Sequence, residues 1–175
     1  MSRDVLYWDS DTFLSWLQDE KGKAEQCEGV IESAENGQLL IATSAFTLAE
    51  VLYLRGRGNV PKDKKQEVVK FFKNDYITII NVTRKIAENA RDLYWDYNIH
   101  PKDAIHVATA IFKKIEELNT FDVGLLGKNG KVGNPPLRIC QPNRPLQSKL
   151  QFGNGSKGRW VSVDGASKAM VWIEE

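Results

Sequence analysis

Val5-Leu6-Tyr7-Trp8-Asp9-Ser10-Asp11-Thr12-Phe13-Leu14 is the stretch that decides the fold. Four apolar or aromatic residues lead into Asp9, and Phe13, Leu14 and Leu17 start a helical pattern directly behind it. A short apolar run that ends in a turn residue reads as a buried strand. A carboxylate at the exit of such a strand lies at the carboxyl edge of a sheet, where open α/β folds bind ligands. Taken alone, Asp9 is also explained as a turn or cap residue. The positions of the other carboxylates along the chain decide between the two.

Outward from that stretch, Thr12 to Glu20 predicts a short amphipathic helix with Asp11 as its N-cap. Lys21 to Asn36 predicts a second helix, with Cys27, Val30, Ile31 and Ala34 on one face and Asn36-Gly37 as its stop. Leu39-Leu40-Ile41-Ala42 is a second continuous apolar run and reads as a strand buried on both sides. Phe46 to Leu54 then reads as a largely apolar helix whose only charge is Glu50. Arg55-Gly56-Arg57-Gly58-Asn59 breaks it with a basic loop. Pro61 opens a charged helix, Lys62 to Lys73, expected to bury Val68, Val69, Phe71 and Phe72.

Tyr76 to Ile80 is the third strand, rich in β-branched residues. Thr83 is expected to cap a helix that runs to Tyr97 with Ile86, Ala90 and Leu93 inward. Pro101 sits where a first helical residue belongs, and the helix behind it is expected to run from Lys102 to Leu118. Thr120-Phe121-Asp122 follows directly, Gly124 to Pro136 reads as a loop, and Leu137 to Cys140 as a last short strand. Strands alternating with helices predict an α/β fold with a mainly parallel sheet covered on both faces.

The 175 residues suffice for one core with an appendage, and 42% hydrophobic with 27% charged residues is ordinary for a globular chain. A net charge of 24 − 23 = +1 gives no overall basicity to advertise nucleic acid, although a local basic face is compatible with it. Cys27 and Cys140 are too few and too distant to form a disulfide scaffold or a zinc site. Arg3 and Asp4 precede an apolar run of only four residues, so a signal peptide is not expected, and no stretch is long enough to span a bilayer. A reducing, cytoplasmic location without membrane attachment is expected. Past Cys140 the composition shifts. Pro142, Pro145 and Gly153-Asn154-Gly155-Ser156 mark a linker, and Arg159–Val163 and Ala169–Ile173 flank Asp164-Gly165, which predicts a β-hairpin. Residues 1–142 are therefore expected to form the main domain and 143–175 an extension.

Of the 23 acidic residues, four stand apart by position. Asp9 exits the first strand, Glu50 interrupts the apolar helix after the second, Asp103 lies in the first turn of the most hydrophobic helix, and Asp122 ends the segment after it. Each has a plain structural explanation: a cap for Asp9, a solvated position for Glu50, the helix dipole for Asp103. All four, however, fall at strand exits or early in the helices that follow, and such points converge at one edge of a doubly wound sheet. Converging carboxylates repel unless protons or cations neutralise them. Lys102 is the only basic residue directly beside any of them in sequence. An all-oxygen set suits Mg²⁺ or Mn²⁺, which activates water and stabilises charge on a phosphodiester. The residues thus point to metal-dependent phosphodiester hydrolysis. A small-ester phosphatase is disfavoured, because no phosphate-cradling glycine loop or nucleophile motif accompanies the acids.

VLYWDSDTFL around Asp9, TSAFTLAEVL around Glu50, KDAIHVATAIF around Asp103 and NTFD around Asp122 together resemble the PIN-domain ribonucleases of the VapC toxin type. The resemblance covers Arg3 to Cys140 and leaves the tail outside it. It implies a Rossmann-like three-layer α/β/α fold and an acidic cluster that binds Mg²⁺ or Mn²⁺ and cleaves RNA. Carried over, Asp9, Glu50, Asp103 and Asp122 become the catalytic and metal-binding set, with Thr120 the hydroxyl residue before the fourth acid. It further implies the toxin of a toxin–antitoxin pair, often dimeric and inhibited by a small antitoxin. Phe121 and the apolar Val123-Gly124-Leu125-Leu126 depart from the family pattern. The alternative is a catalytically silent PIN fold that docks RNA or protein.

Ser10 and Asp11 are candidates to orient metal waters, and His106, one turn after Asp103, is expected to serve packing or hydrogen bonding. His100 has no partner suggested by its neighbours in sequence. Arg55 and Arg57, with Lys62, Lys64 and Lys65, form the densest basic stretch and the candidate RNA contact. Tyr94 and Tyr97 are expected in the core, and Trp160 and Trp172 of the hairpin are expected to cover an edge or the core surface.

Overall fold

A computed structural model describes residues 3–51 and 60–146, together with the backbone of 158–164 and 167–174. The chain divides into two units, Met1–Pro145 and Leu146–Glu175. In the first, five parallel strands, β1 (Asp4–Trp8), β2 (Leu39–Ser44), β3 (Ile77–Ile80), β4 (Glu117–Asn119) and β5 (Arg138–Cys140), lie in the order β3-β2-β1-β4-β5. The helices are α1 (Ser10–Leu17), α2 (Ala24–Glu35), α3 (Thr47–Glu50), a short 3₁₀ turn (Lys62–Lys64), α4 (Lys65–Phe71), α5 (Arg84–Tyr97), α6 (Pro101–Phe112) and α7 (Val123–Leu126).

Strand alternation divides the apolar run of β1 between two cores. Leu6 and Trp8 face one side with Ile41, Phe13 and Leu14 of α1, and Cys27, Val30 and Ile31 of α2. Tyr7 faces the other side with Ala42, Ile86 and Leu93 of α5, and Ala104, Val107 and Ala108 of α6. Both faces of the central strand are therefore covered, which is why it reads as an unbroken apolar run rather than an alternating one. Each fully buried leucine or phenylalanine here contributes roughly 1.5–3 kcal/mol. The three-layer α/β/α fold is the expected one.

The chain builds the sheet outward from β1 through β2 to β3, then returns to lay β4 against the other side of β1. β1 and β4 thus flank the switch point, where open sheets leave a crevice at their carboxyl ends. Tyr7 pairs with Ala42 on one side and with Leu118 on the other. Asp9 follows on one lip of that crevice, and Thr120 to Asp122 follow on the other.

Four local expectations need correction. The helix expected to reach Leu118 stops at Phe112. Lys114 takes a left-handed conformation (φ 55°), and Glu117–Asn119 becomes β4. A three-residue strand carries no alternation of its own and is held by pairing with β1 and β5 on either side. The Gly124–Pro136 region, expected as loop, begins inside a short helix, α7, which starts at Val123 and which Asp122 caps. Val69 is exposed on α4, where Val68 turns inward. Tyr94 and Tyr97 lie at 45% and 38% exposure, because the inner stripe of α5 is narrow and consists of Ile86, Ala90 and Leu93. Arg91 lies over the exposed Trp95 ring, 5.0 Å from its centroid.

Gly29 of α2 is buried against the backbone of Arg144 and Pro145, which leaves no room for a Cβ. Gly29→Ala is therefore expected to destabilise the fold by about 1–3 kcal/mol through overpacking, despite alanine's helical preference. A lowered urea midpoint measures it.

In the second unit, β6 (Gly158–Asp164) and β7 (Ser167–Glu174) pair antiparallel, as the hairpin pattern predicts, with Trp160 opposite Trp172. The side chains of that pair lie outside the described residues. Among the described residues, no helix is long and apolar enough to cross a membrane.

Candidate functional site

Asp9 leaves β1 and is itself the N-cap of α1. Its Oδ1 accepts from the Thr12 backbone N–H at 2.9 Å and from the Thr12 hydroxyl at 2.9 Å. The cap is thus Asp9 and not Asp11, which instead supplies a negative charge to the first turn of α1. Thr12 Oγ1 also lies 3.1 Å from the carbonyl oxygen of Asn119, tying the exit of β1 to the exit of β4. Asp9 is buried, and burial pushes its carboxyl up to about 6, although His106, Thr120 and the Thr12 N–H each favour the ionised form. The cap explanation and a site explanation therefore apply to the same residue.

Glu50 ends α3 behind β2 and is almost wholly buried. Ser10 Oγ donates to its Oε2 at 2.9 Å, and His106 Nε2 lies 3.1 Å from the same oxygen. Lys102 Nζ lies 3.3 Å from Oε1. Burial raises the Glu50 carboxyl, but the contacts with His106, Ser10 and Lys102 outweigh it and hold the group below the usual range. His106 is buried in α6, with its Nδ1 2.9 Å from the Tyr7 hydroxyl. Beneath them Thr43 donates to the Trp8 carbonyl at 2.8 Å and shares a 2.7 Å hydroxyl contact with Thr47. These hydroxyls join β1, β2 and α3 into one polar network under the carboxyl edge.

Asp103 stands in the first turn of α6, where Pro101 opens the helix. Burial raises its carboxyl, and Asp122 and Glu50 raise it further, while His106 and His100 pull it down. Asp122 is exposed and caps α7, its Oδ1 accepting from the Leu125 N–H at 2.8 Å. The buried Thr120 hydroxyl accepts from the Asp122 N–H at 2.9 Å.

The four acids thus come from the exits of β1 and β4, from the end of α3 and from the first turn of α6. Ser10, Glu50 and His106 are in direct contact. Asp103 lies in the field of Asp122 and Glu50, and Asp9 in that of His106. Among the described residues, no salt bridge reaches Asp9, Asp103 or Asp122. Also among the described residues, no three of His, Cys, Asp and Glu are gathered closely enough around one point to hold a metal ion. The donor chemistry nevertheless suits a hard cation, since neighbouring carboxylates oppose the ionisation of Asp103. Arg55 and Arg57 lie outside the described residues. No motif in the sequence marks Tyr7, Thr12, Thr43 or Thr47 as part of the site. Their signal was a hydroxyl inside or directly behind an apolar strand.

Residues 6–129 match the PIN domain family. The chain belongs to that family. Three solved structures resemble this PIN domain. A toxin–antitoxin complex from Klebsiella pneumoniae is 25% identical (TM-score 0.50), over 80% of this chain and 99% of that one. VapBC2 from Rickettsia felis, bound to a DNA fragment from its promoter, is 16% identical (TM-score 0.54), over 78% and 97%. VapC20 from Mycobacterium tuberculosis, a Sarcin-Ricin loop cleaving toxin, is 15% identical (TM-score 0.52), over 67% and 89%. No curated protein matches the sequence. The family match makes this a PIN domain, and the last two likenesses speak to the fold alone.

Proposed function

We propose that this PIN domain is a metal-dependent endoribonuclease and the toxin of a type II toxin–antitoxin pair. The observation that carries the reading is placement: Asp9 and Asp122 follow the two strands that flank the switch point, and Asp103, raised by burial and then by Asp122 and Glu50, shares their field. Asp9, Glu50, Asp103 and Asp122 would hold Mg²⁺ or Mn²⁺. Bound there, the ion supplies activation of the attacking water and neutralisation of phosphodiester charge.

The rest of the work falls to the chain's own groups. Ser10 and His106 orient Glu50 through Oε2, and Tyr7 fixes the His106 ring. Thr120 fixes the Asp122 backbone. The basic loop of Arg55 and Arg57 would draw the RNA backbone to an otherwise acidic edge. The toxin assignment and an antitoxin partner are supported by the toxin–antitoxin structures among the neighbours. A homodimer and a cytoplasmic location belong to the same reading.

The test is substrate choice in Mg²⁺: a mixed RNA pool should be cleaved and small phosphate esters left intact. Turnover of the esters alone would replace the nuclease by a phosphatase. Ser10→Ala removes one of the two interior holds on Glu50 and is expected to lower metal affinity or cleavage by roughly 10–100-fold with the fold retained. Unaltered cleavage would remove Ser10 from the site.

A second reading has its own support. Both Glu50 oxygens already have protein partners, so the same fold could serve as a silent RNA- or protein-docking module. That version predicts no saturable Mn²⁺ binding.

A further inference from the structure

Glu50 divides its two oxygens between unlike partners. Oε2 is held from the interior by Ser10 Oγ at 2.9 Å and His106 Nε2 at 3.1 Å. Ser10 and His106 are both buried, and the Tyr7 hydroxyl at 2.9 Å from Nδ1 fixes the ring. A buried, fully partnered network of this kind is rigid. Oε1 is left to Lys102 Nζ at 3.3 Å, and the Lys102 side chain is 59% exposed. One side of the carboxylate is thus anchored in the core, and the other is met by a solvent-exposed cation.

We infer that Lys102 is a resident counter-cation of the acid site, which a divalent ion must displace from Glu50 Oε1. The inference rests on the metal-dependent reading proposed above. Lys102 directly precedes Asp103 in α6, and Glu50, which its ammonium meets, is one of the carboxylates that act on Asp103. The lysine end of the pair is exposed, and a lysine is a point charge on a flexible stem that can swing back to water. The ammonium therefore offsets carboxylate repulsion at low divalent-ion concentration and yields when that concentration rises. The consequence is a threshold: Lys102 raises the divalent-ion concentration at which the site fills.

The test is a Mn²⁺ titration of the full chain, with free Mn²⁺ followed by electron paramagnetic resonance. Wild type, Lys102→Met, Lys113→Met and Asp103→Asn are compared. Methionine keeps the stem and the helical preference while removing the charge. Lys113→Met makes the same net-charge change at the far end of α6, about 16 Å along its axis. Lys102→Met is expected to bind on the order of tenfold tighter, since both the competitor and a like charge are removed. Lys113→Met should match wild type. Equal tightening in both lysine variants would overturn the inference, because net charge alone would then explain it. So would unchanged or weaker binding in Lys102→Met while Asp103→Asn abolishes the site, and the metal reading would survive that result. No saturable binding by wild type or either lysine variant would overturn both.

Discussion

Asp103→Asn is expected to lower RNA cleavage by about two to three orders of magnitude while the protein stays folded. Loss of one charged group that acts on the reacting phosphate corresponds to roughly 3–4 kcal/mol of transition-state stabilisation. Asparagine keeps the size of the side chain in the first turn of α6 but can no longer help neutralise a cation. The stability change is expected to be small because two effects oppose each other. Losing a negative charge at a helix N-terminus costs about 0.3–1 kcal/mol. Removing the charge also relieves its repulsion with Asp122 and Glu50. Initial cleavage rates and urea midpoints on the same preparations separate the two quantities. Cleavage at the wild-type rate would end the nuclease reading.

Asp9→Asn should do something less usual: silence the protein and stabilise it. The Asp9 carboxyl is raised from its ordinary value of 3.8 to about 6, mainly by burial. An acid with a raised folded-state pKa binds its proton more tightly when folded. Its contribution is therefore full below pH 3.8 and is lost as pH climbs through 6. Above that window the protein carries an ionised, buried carboxylate at a cost of about 3 kcal/mol. Asparagine removes this charge. Its amide oxygen can still accept from the Thr12 N–H and hydroxyl, so the cap of α1 is retained. In chelator-containing buffer the variant should be more stable than wild type by about 1–3 kcal/mol at pH 7.5, with the gain vanishing near pH 4. Added Mn²⁺ should stabilise wild type and leave Asp9→Asn unmoved. A variant less stable than wild type at pH 7.5 would contradict the account of the Asp9 environment.

Most of the sheet was legible because β1, β2 and β3 announce themselves by unbroken apolar or β-branched runs ending in Asp9, Ser44 and Ile80. β4 was not, because Ile115 continues the apolar pattern of α6 beyond the point where the helix stops. What stops it is a backbone turn at Lys114, and lysine carries no turn signal. The strand that follows is three residues long, and its partners are more than a hundred residues upstream and about twenty downstream. Placing β4 mattered, since it turns Thr120 to Asp122 from the tail of a helix into the second lip of the crevice.

The acids themselves could be picked out because each falls just after a strand or at the start of a helix. Their supporting contacts could not. Ser10 meets Glu50 across 40 residues and His106 across 96, separations at which local pattern carries no information. Local pattern does not separate Asp9 from Asp11 as the cap of α1, for a related reason. Both satisfy the local rule, and only the paired ends of β1 and β4 fix which one lies before the first helical residue. The spacing of Tyr94, Trp95 and Tyr97 on one helix requires some aromatic to face inward only if nothing else fills that side, and Ile86, Ala90 and Leu93 already fill the inner stripe.

The central claim is that the acids at the switch point cleave RNA through a divalent cation. The most direct measurement is the rate of RNA cleavage by the purified full chain in Mg²⁺, after chelation, and after Mg²⁺ is restored. Cleavage should stop on chelation and return on re-addition, with Asp103→Asn about a hundredfold or more slower than wild type in Mg²⁺. Cleavage that persists in excess chelator, or no cleavage under any of the three conditions, would contradict the claim.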